Sequence, residues 1–232
     1  MNVKILLITG LLSLGIGGCS NAQNKQTEQS SQTETMENAD TMENVNSKNS
    51  SAHDFWQSGI IINGVRIVLP CKLADLEKLG WKLVGERTAN IMLEPQNGTA
   101  QTDVINEKGQ TLHIRVFDPY SKAIPLKDGF IIEVSKRVWL HVGNLVDFEI
   151  GGLRSFESTG EEVLKVMNEH FGEPIIHDTN REWEESYYFS DKKEIENRIE
   201  FILSRSEERY TGKLVGFSFM CIGDMYDTEK YR

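Results

Sequence analysis

The sequence predicts an α+β fold: two helix-on-antiparallel-sheet units in tandem after a disordered tether. Three observations favour this class. They are an amphipathic helix with a clear start and end, three alternating strands after it, and a similar order of elements earlier in the chain. With 232 residues, of which 39% are hydrophobic, the chain is long enough for two small units. We place these units at 55–147 and 148–232.

The helix of the second unit has the clearest boundaries. Thr159-Gly160-Glu161-Glu162 is a Thr-x-x-Glu capping box, which starts a helix. Gly172 suits the left-handed residue that ends one, and Pro174 prevents its resumption. Apolar residues recur between them at helical spacing: Val163, Val166, Met167 and Phe171. The sequence therefore predicts a helix over 160–171 with one apolar face.

Three stretches after this helix alternate between apolar and polar residues, at 183–189, 199–203 and 215–221. Polar and charged segments join them, which is typical of hairpins. The pattern predicts an antiparallel sheet with one face packed on the helix.

The first unit has a similar order of predicted elements to the second, with less regular patterns. Asn63-Gly64 is a turn signal within an apolar stretch, and a short helix with Leu73, Leu76 and Leu79 follows. Strand patterns occur at 89–93, 112–117 and 129–134, and in the second of these His113 and Arg115 point away from the apolar side. Because the order of elements is shared, we predict a repeat of roughly 90 residues.

Residues 19–54 have a different composition, rich in Asn, Gln, Ser, Thr and Glu. Such a segment cannot bury enough apolar surface to offset the entropy of ordering its backbone. We predict a disordered tether with a root-mean-square span of about 30–35 Å.

The first eighteen residues have the anatomy of an export signal. Lys4 gives a positive start, and the apolar run up to Ile16 is about twelve residues, too short to span a bilayer. Ile16-Gly17-Gly18-Cys19 resembles the lipobox of bacterial lipoproteins. The resemblance implies that residues 1–18 are removed as a signal peptide and that Cys19 takes a diacylglycerol. The protein would then be lipid-anchored to the cell membrane, facing outside the cytoplasm. An ordinary soluble secretion signal with a chance Cys is the alternative.

A second resemblance concerns the folded part. Gly151-Gly152, Thr159, Glu162-Val163 and Phe171-Gly172-Glu173-Pro174 are similar to units of the β-lactamase-inhibitor-protein-like fold, which small outer-membrane assembly lipoproteins share. The inhibitor family implies tandem helix-on-sheet units that grip a partner protein. Its units carry internal disulfides, and this chain lacks that pattern.

The formal net charge is −10, and most of the excess acid falls in residues 55–232. An acidic domain argues against a nucleic-acid partner, which requires clustered Lys and Arg. It also argues against electrostatic docking on anionic lipid, so membrane contact would depend on acylated Cys19.

Two cysteines remain besides Cys19. Cys71 and Cys221 would either form a disulfide, which persists outside the cytoplasm, or stay as two buried free thiols. Neither has a second Cys or His at close spacing, so we predict no metal site there.

Motifs of catalysis are not found in the sequence. His53, His113, His141, His170 and His177 read as structural residues, and we expect no cofactor and no metal. Seven carboxylates of the second unit fall mostly in turns or on an exposed strand face: Glu182, Glu184, Glu185, Glu194, Glu196, Glu207 and Glu208. The aromatic residues Trp183 and Tyr188 are candidate partner-binding anchors, with packing between the units as the alternative.

These observations predict a surface-anchored, non-enzymatic binding or envelope-accessory lipoprotein that contacts an envelope protein partner. The alternative is a cell-wall or glycan hydrolase with paired carboxylates, which needs two of them about 5–9.5 Å apart across a cleft. A third hypothesis is a solute-binding component of a transporter. The sequence does not support it, because it does not predict two doubly wound lobes.

Overall fold

The computed structural model describes residues 52–85, 87–95, 98–137, 145–191, 197–206 and 208–222. The signal peptide, Cys19 and the tether up to residue 51 therefore lie outside the described residues. Residues 52–54, which the sequence assigned to the tether, belong to helix α1 (52–58). No described helix is long and apolar enough to cross a membrane.

The main element of the fold is a nine-stranded antiparallel sheet. Its strands run in the order β12-β13-β14-β15-β9-β7-β6-β4, and β3 also pairs with β9. The N-terminal half of the chain supplies β3 (Cys71–Lys72), β4 (Lys82–Leu83), β6 (Gly98–Ile105), β7 (Thr111–Asp118) and β9 (Phe130–Lys136). The C-terminal half supplies β12 (Ile176–Asp178), β13 (Glu184–Ser190), β14 (Arg198–Ser204) and β15 (Leu214–Met220).

The remaining strands form two smaller sheets. A four-stranded sheet has the order β11-β10-β1-β2, and β5 pairs with β8. Their bounds are β1 (Ile60–Ile62), β2 (Val65–Ile67), β5 (Met92–Leu93), β8 (Ile124–Pro125), β10 (Phe148–Ile150) and β11 (Leu153–Arg154). The remaining helices are α2 (Leu73–Lys78), α3 (Gly160–His170) and three short 3-10 turns.

The expected α+β fold of two helix-on-sheet units is wrong. The described chain is a β-rich fold of antiparallel sheets. The nine-stranded sheet and the four-stranded sheet each contain strands from both halves of the chain. In the large sheet β15 pairs with β9, and in the small sheet β1 pairs with β10. If the two halves folded as separate units, β9 and β15 would each be an edge strand with unpaired backbone N–H and C=O groups. Pairing the two strands satisfies the hydrogen bonds of both.

The halves contribute matching sets of strands to the shared sheet. Counted outward from the central pair, the order is β15, β14, β13, β12 on one side and β9, β7, β6, β4 on the other. The similar order of elements along the chain thus corresponds to two arms of a single sheet.

The core lies on one face of the large sheet, under the helices and the four-stranded sheet. Phe55 and Trp56 of α1 contact Phe171 at the end of α3, with ring centroids 5.1 and 5.3 Å apart. Phe148 of the small sheet contacts Phe217 of the large sheet at 4.6 Å. One apolar cluster therefore joins all three layers.

Several local predictions are confirmed. Helix α3 has Thr159 as its N-cap with the predicted capping box, and the three predicted strands after it are β13, β14 and β15, whereas β12 was not predicted. The turn at Asn63-Gly64 has positive φ at both residues, 50° and 80°. The strand predicted at 89–93 is mostly wrong, because Thr88–Asn90 is a 3-10 turn and only Met92–Leu93 is extended.

Candidate functional site

The face of the large sheet opposite the core carries a polar groove. In β7, Leu112, Ile114 and Val116 are fully buried in the core. Because successive side chains of a strand point to opposite faces, His113 and Arg115 lie on the other face. The alternation that builds the core therefore also places polar side chains together on the open face.

One row of directly paired residues crosses six strands of this face. Their pairs are Asp103 with His113, His113 with Ser135, Ser135 with Ser218, Ser218 with Glu200, and Glu200 with Tyr188. The two serines stand at the centre, where the arm of β9 meets the arm of β15. The row is therefore shared equally by the two halves of the chain.

Side-chain size along this row makes the surface concave. Ser135 and Ser218 are short, and the longer side chains of His113 and Glu200 stand on either side of them. These two flanking residues are three strand spacings apart, about 14 Å. The groove has a volume of 580 Å³, and its lining residues are Gln101, Thr111, His113, Arg115, Glu133, Ser135, Lys136, Arg137, Tyr188, Arg198, Glu200 and Ser218.

Glu200 is held on one wall by two partners. The residue is 5% exposed. Its carboxylate accepts two hydrogen bonds from Arg137 Nη2, at 3.0 and 2.9 Å, and one from the Tyr188 hydroxyl at 2.6 Å. Arg137 Nη1 also lies 3.6 Å from Glu184 Oε1. Such charge-assisted bonds fix the position of a carboxylate.

The pKa values on this wall follow from these contacts. Burial, and then the hydrogen bond to Glu200, raise the pKa of the Tyr188 hydroxyl to about 12. Burial opposes the charge of Arg137, but the Glu200 and Glu184 carboxylates outweigh it and raise its pKa. At neutral pH the wall therefore holds a neutral phenol and an arginine cation.

Glu133 is the second carboxylate of the groove and is 8% exposed. Ser218 Oγ donates to its Oε1 at 2.9 Å, and Arg115 Nε lies 2.8 Å from its Oε2. The Arg115 contact is an ion pair without an aligned hydrogen bond, because the N–H does not point at the oxygen. Both carboxylates of the groove are therefore neutralised by an arginine.

Lys136 differs from these arginines. Its Nζ donates to the carbonyl of Thr111 at 2.9 Å and lies 3.3 Å from Thr111 Oγ1, and both acceptors are uncharged. Burial lowers the pKa of this ammonium, and Asp103 partly restores it. An anion that entered the groove would supply the charge that Thr111 does not.

Among the lining residues of the groove, basic side chains outnumber acidic ones, and the carboxylates of Asp103 and Glu184 lie at its margin beside His113 and Arg137. The basic lining residues are Arg115, Lys136, Arg137 and Arg198, with His113 beside them, against the carboxylates Glu133 and Glu200. This local balance is opposite in sign to the net charge of the whole chain, −10. The arrangement favours an anionic ligand group.

The predicted partner-binding residues occupy different places. Tyr188 lines the groove, on the face that its position in the strand predicted. Trp183 precedes β13, is 47% exposed and is not among the groove's lining residues. The structure therefore does not bring the two together in this groove.

Cys71, Cys221, His170 and His177 do not line the groove. Cys71 is half-buried and Cys221 is buried, and no disulfide joins them in the structure. His170 packs against Phe55, and His177 Nε2 lies 2.6 Å from Glu185 Oε1. His141 lies outside the described residues. Among the described residues no group of three or more His, Cys, Asp or Glu side chains could hold a metal ion.

Sequence reasoning missed both carboxylates of the groove, Glu133 and Glu200, and three of its basic residues, Lys136, Arg137 and Arg198. Glu200 alternates with Ile199 and Phe201, so its polar face was readable from the pattern. Its proximity to Arg137 was not, because that contact depends on pairing between strands 63 residues apart.

No protein-family model, no curated protein and no solved structure matches this chain. The function is therefore inferred from the groove and from the sequence patterns.

Proposed function

We propose that this protein is a non-enzymatic, lipid-anchored binding protein of the cell envelope, and that the groove binds acidic side chains of an envelope protein partner. The observation that carries this proposal is the excess of basic groups in a concave site on an acidic protein. The groove accounts for the site, and the lipobox-like sequence accounts for the location.

The character of the groove favours a protein partner over a small molecule. Small-molecule sites are mostly apolar and enclose their ligand, with a few polar groups that orient it. This groove is lined chiefly by charged and hydroxyl side chains and lies on a sheet face. Carboxylates projecting from a partner's surface would reach Lys136 and Arg198 without being enclosed.

The hydrolase is the rival function, and Glu133 and Glu200 are the carboxylates that it would use. A glycosidase needs its two carboxyl groups to face the scissile bond across a cleft. Here each carboxylate is instead engaged by an arginine and a hydroxyl group of the groove itself. A binding role is the better fit.

Binding to an acidic probe tests the role of the groove. We would titrate a labelled oligoglutamate peptide with the full-length protein in detergent and follow its fluorescence anisotropy. The double variant Lys136→Ala and Arg198→Ala should bind at least tenfold more weakly, a loss of about 1.4 kcal/mol. Binding should also weaken as salt concentration rises.

Lys165→Ala is the matched control, because Lys165 is an exposed residue of α3, on the opposite side of the sheet. It should leave binding unchanged. Equal affinity of all three proteins would contradict the proposal. Tight binding of citrate without binding of the peptide would place a small anion, and not a partner protein, in the groove.

The anchor has its own test. Cys19→Ser removes the sulfur that would carry the lipid, so the variant should appear in the soluble fraction while the wild type sediments with membranes. Radiolabelled fatty acid should be incorporated only by the wild type. Continued membrane association of the variant in high salt and carbonate would show that Cys19 is not the anchor.

A further inference from the structure

The two cysteines of the folded region lie beside the same strand. Cys71 in β3 pairs with Ile131 of β9, and the backbone N–H of Cys221, just after β15, donates to the carbonyl of Ile132 at 2.9 Å. The residues of β9 that they face are thus consecutive.

Both cysteines lie on the same edge of β9. A strand has two edges, and β7 occupies one of them, with Val116 opposite Ile131 and Phe117 opposite Phe130. β3 must therefore pair along the other edge, which β15 also occupies. Because β3 and β15 are both antiparallel to β9, they run end to end along it.

The two side chains also share a face. Cys221 belongs to the main apolar core, and Cys71 packs against that core. Residues that face neighbouring positions of one strand are about one to two residue spacings apart, roughly 3.4–7 Å. This interval includes the Cα separations of about 4.4–6.8 Å found in disulfides.

Although no disulfide joins them in this structure, we propose that Cys71 and Cys221 form one that ties β3 to the end of β15 and so joins the two halves of the chain. The inference uses the extracytoplasmic location of the proposed function only as the source of an oxidant. The two thiols lose two protons and two electrons as the S–S bond forms. A disulfide-bearing oxidoreductase, or a small disulfide such as oxidised glutathione, takes them up and becomes two thiols.

The surroundings of Cys71 determine when this reaction occurs. Burial raises the pKa of its thiol to about 12, with Asp75 adding to the effect. Since the thiolate is the attacking species, the folded protein would react slowly. The bond therefore forms before the sheet closes over it, and afterwards the same burial protects it from reduction.

The bond would also support the groove. Ser135 and Ser218, the floor of the groove, belong to the pairing of β9 with β15 that the disulfide would hold. A cross-link between residues so distant in sequence restricts the unfolded chain strongly. We expect the wild type to melt roughly 5–15 °C lower with reductant than without it.

Thiol trapping tests the bond in the protein as it is made by the cell. Membranes containing the full-length protein would be denatured in iodoacetamide without reductant, then reduced and treated with a maleimide of different mass. We expect peptide mass spectrometry to find both cysteines labelled only by the maleimide. Labelling of both by iodoacetamide would show free thiols in the cell.

Refolding in vitro tests whether the disulfide forms independently of where the protein is located in the cell. The full-length protein would be reduced, unfolded and refolded in a glutathione buffer, with Cys71→Ser and Cys221→Ser as controls that each keep one thiol and show no effect of reductant. Free thiols after refolding of the wild type would overturn the disulfide. A bond after refolding together with free thiols in the cell would support the pairing geometry and overturn the proposed location.

Discussion

Glu162 fixes the start of α3 through its charge as well as its shape. Its Oε2 accepts a hydrogen bond from the backbone N–H of Thr159 at 2.7 Å, while its own N–H donates to Thr159 Oγ1 at 3.3 Å. The hydrogen bond from the Thr159 backbone lowers the pKa of this carboxyl below its usual 4.5. Its negative charge also lies at the positive end of the helix dipole.

Replacing Glu162 by Gln should therefore weaken the acid dependence of stability. A carboxyl whose pKa falls on folding stabilises the protein above its unfolded pKa, and the effect is lost as pH falls through the folded value. We expect Glu162→Gln to lower Tm at pH 7, and the difference from the wild type to shrink as pH falls below 4.5, the usual pKa of this carboxyl. Glu161→Gln, in the same turn, is the control, and an equal pH effect of both variants would count against the role of Glu162.

Other residues show which features of the groove can be predicted from a local sequence pattern. Strand parity was enough to turn Tyr188 and His113 away from the core, because parity depends only on neighbours in sequence. Tyr188 and its partner Glu200 come from the two strands of a predicted hairpin, but Arg137, which binds Glu200, comes from the other half of the chain. Directions of side chains were predictable, but the groove was not.

The pairing of β15 with β9 is the element on which the molecule depends, because it joins the two arms of the large sheet. Gly216 of β15 lies at this joint, and a Cβ there would come within 2.7 Å of the carbonyl oxygen of Lys136. That oxygen belongs to the backbone of β9, so it cannot move without shifting the strand. Glycine permits the close approach of the two strands.

We expect Gly216→Val to destabilise the protein by about 1–3 kcal/mol, the usual cost of an overpacked site. The change should appear as a lower midpoint of urea unfolding. Since Lys136 lines the groove, the variant should also bind the acidic peptide more weakly. An unchanged midpoint would mean that the strands are not paired at this position as described.

The helices and strands differed in how well the sequence predicted them. α3 was predicted because its cap, apolar face and end are all encoded within fifteen or so residues. β6 was missed, because its residues Gly98–Ile105 include few apolar side chains and only Val104 is fully buried. Its position is set by pairing with β7 along eight residues, which gives no local apolar signal.

At the scale of the whole molecule, the similar order of elements in the two halves predicts two separate units. The structure instead pairs the halves edge to edge in two sheets. The sequence carries no local sign of this choice, because an exposed edge and a paired edge have the same alternation of apolar and polar residues. The groove exists because of this joint, so neither half would form it alone.

The measurement that tests the central claim most directly is photo-cross-linking from the groove floor in living cells. A photoreactive amino acid would replace Ser135 in the full-length protein, and Lys165 in a matched control on the other side of the sheet. The account predicts a discrete protein adduct from position 135 that is lost when Lys136 and Arg198 are also changed to Ala. Adducts of equal yield from both positions, or adducts from position 165 alone, would contradict it.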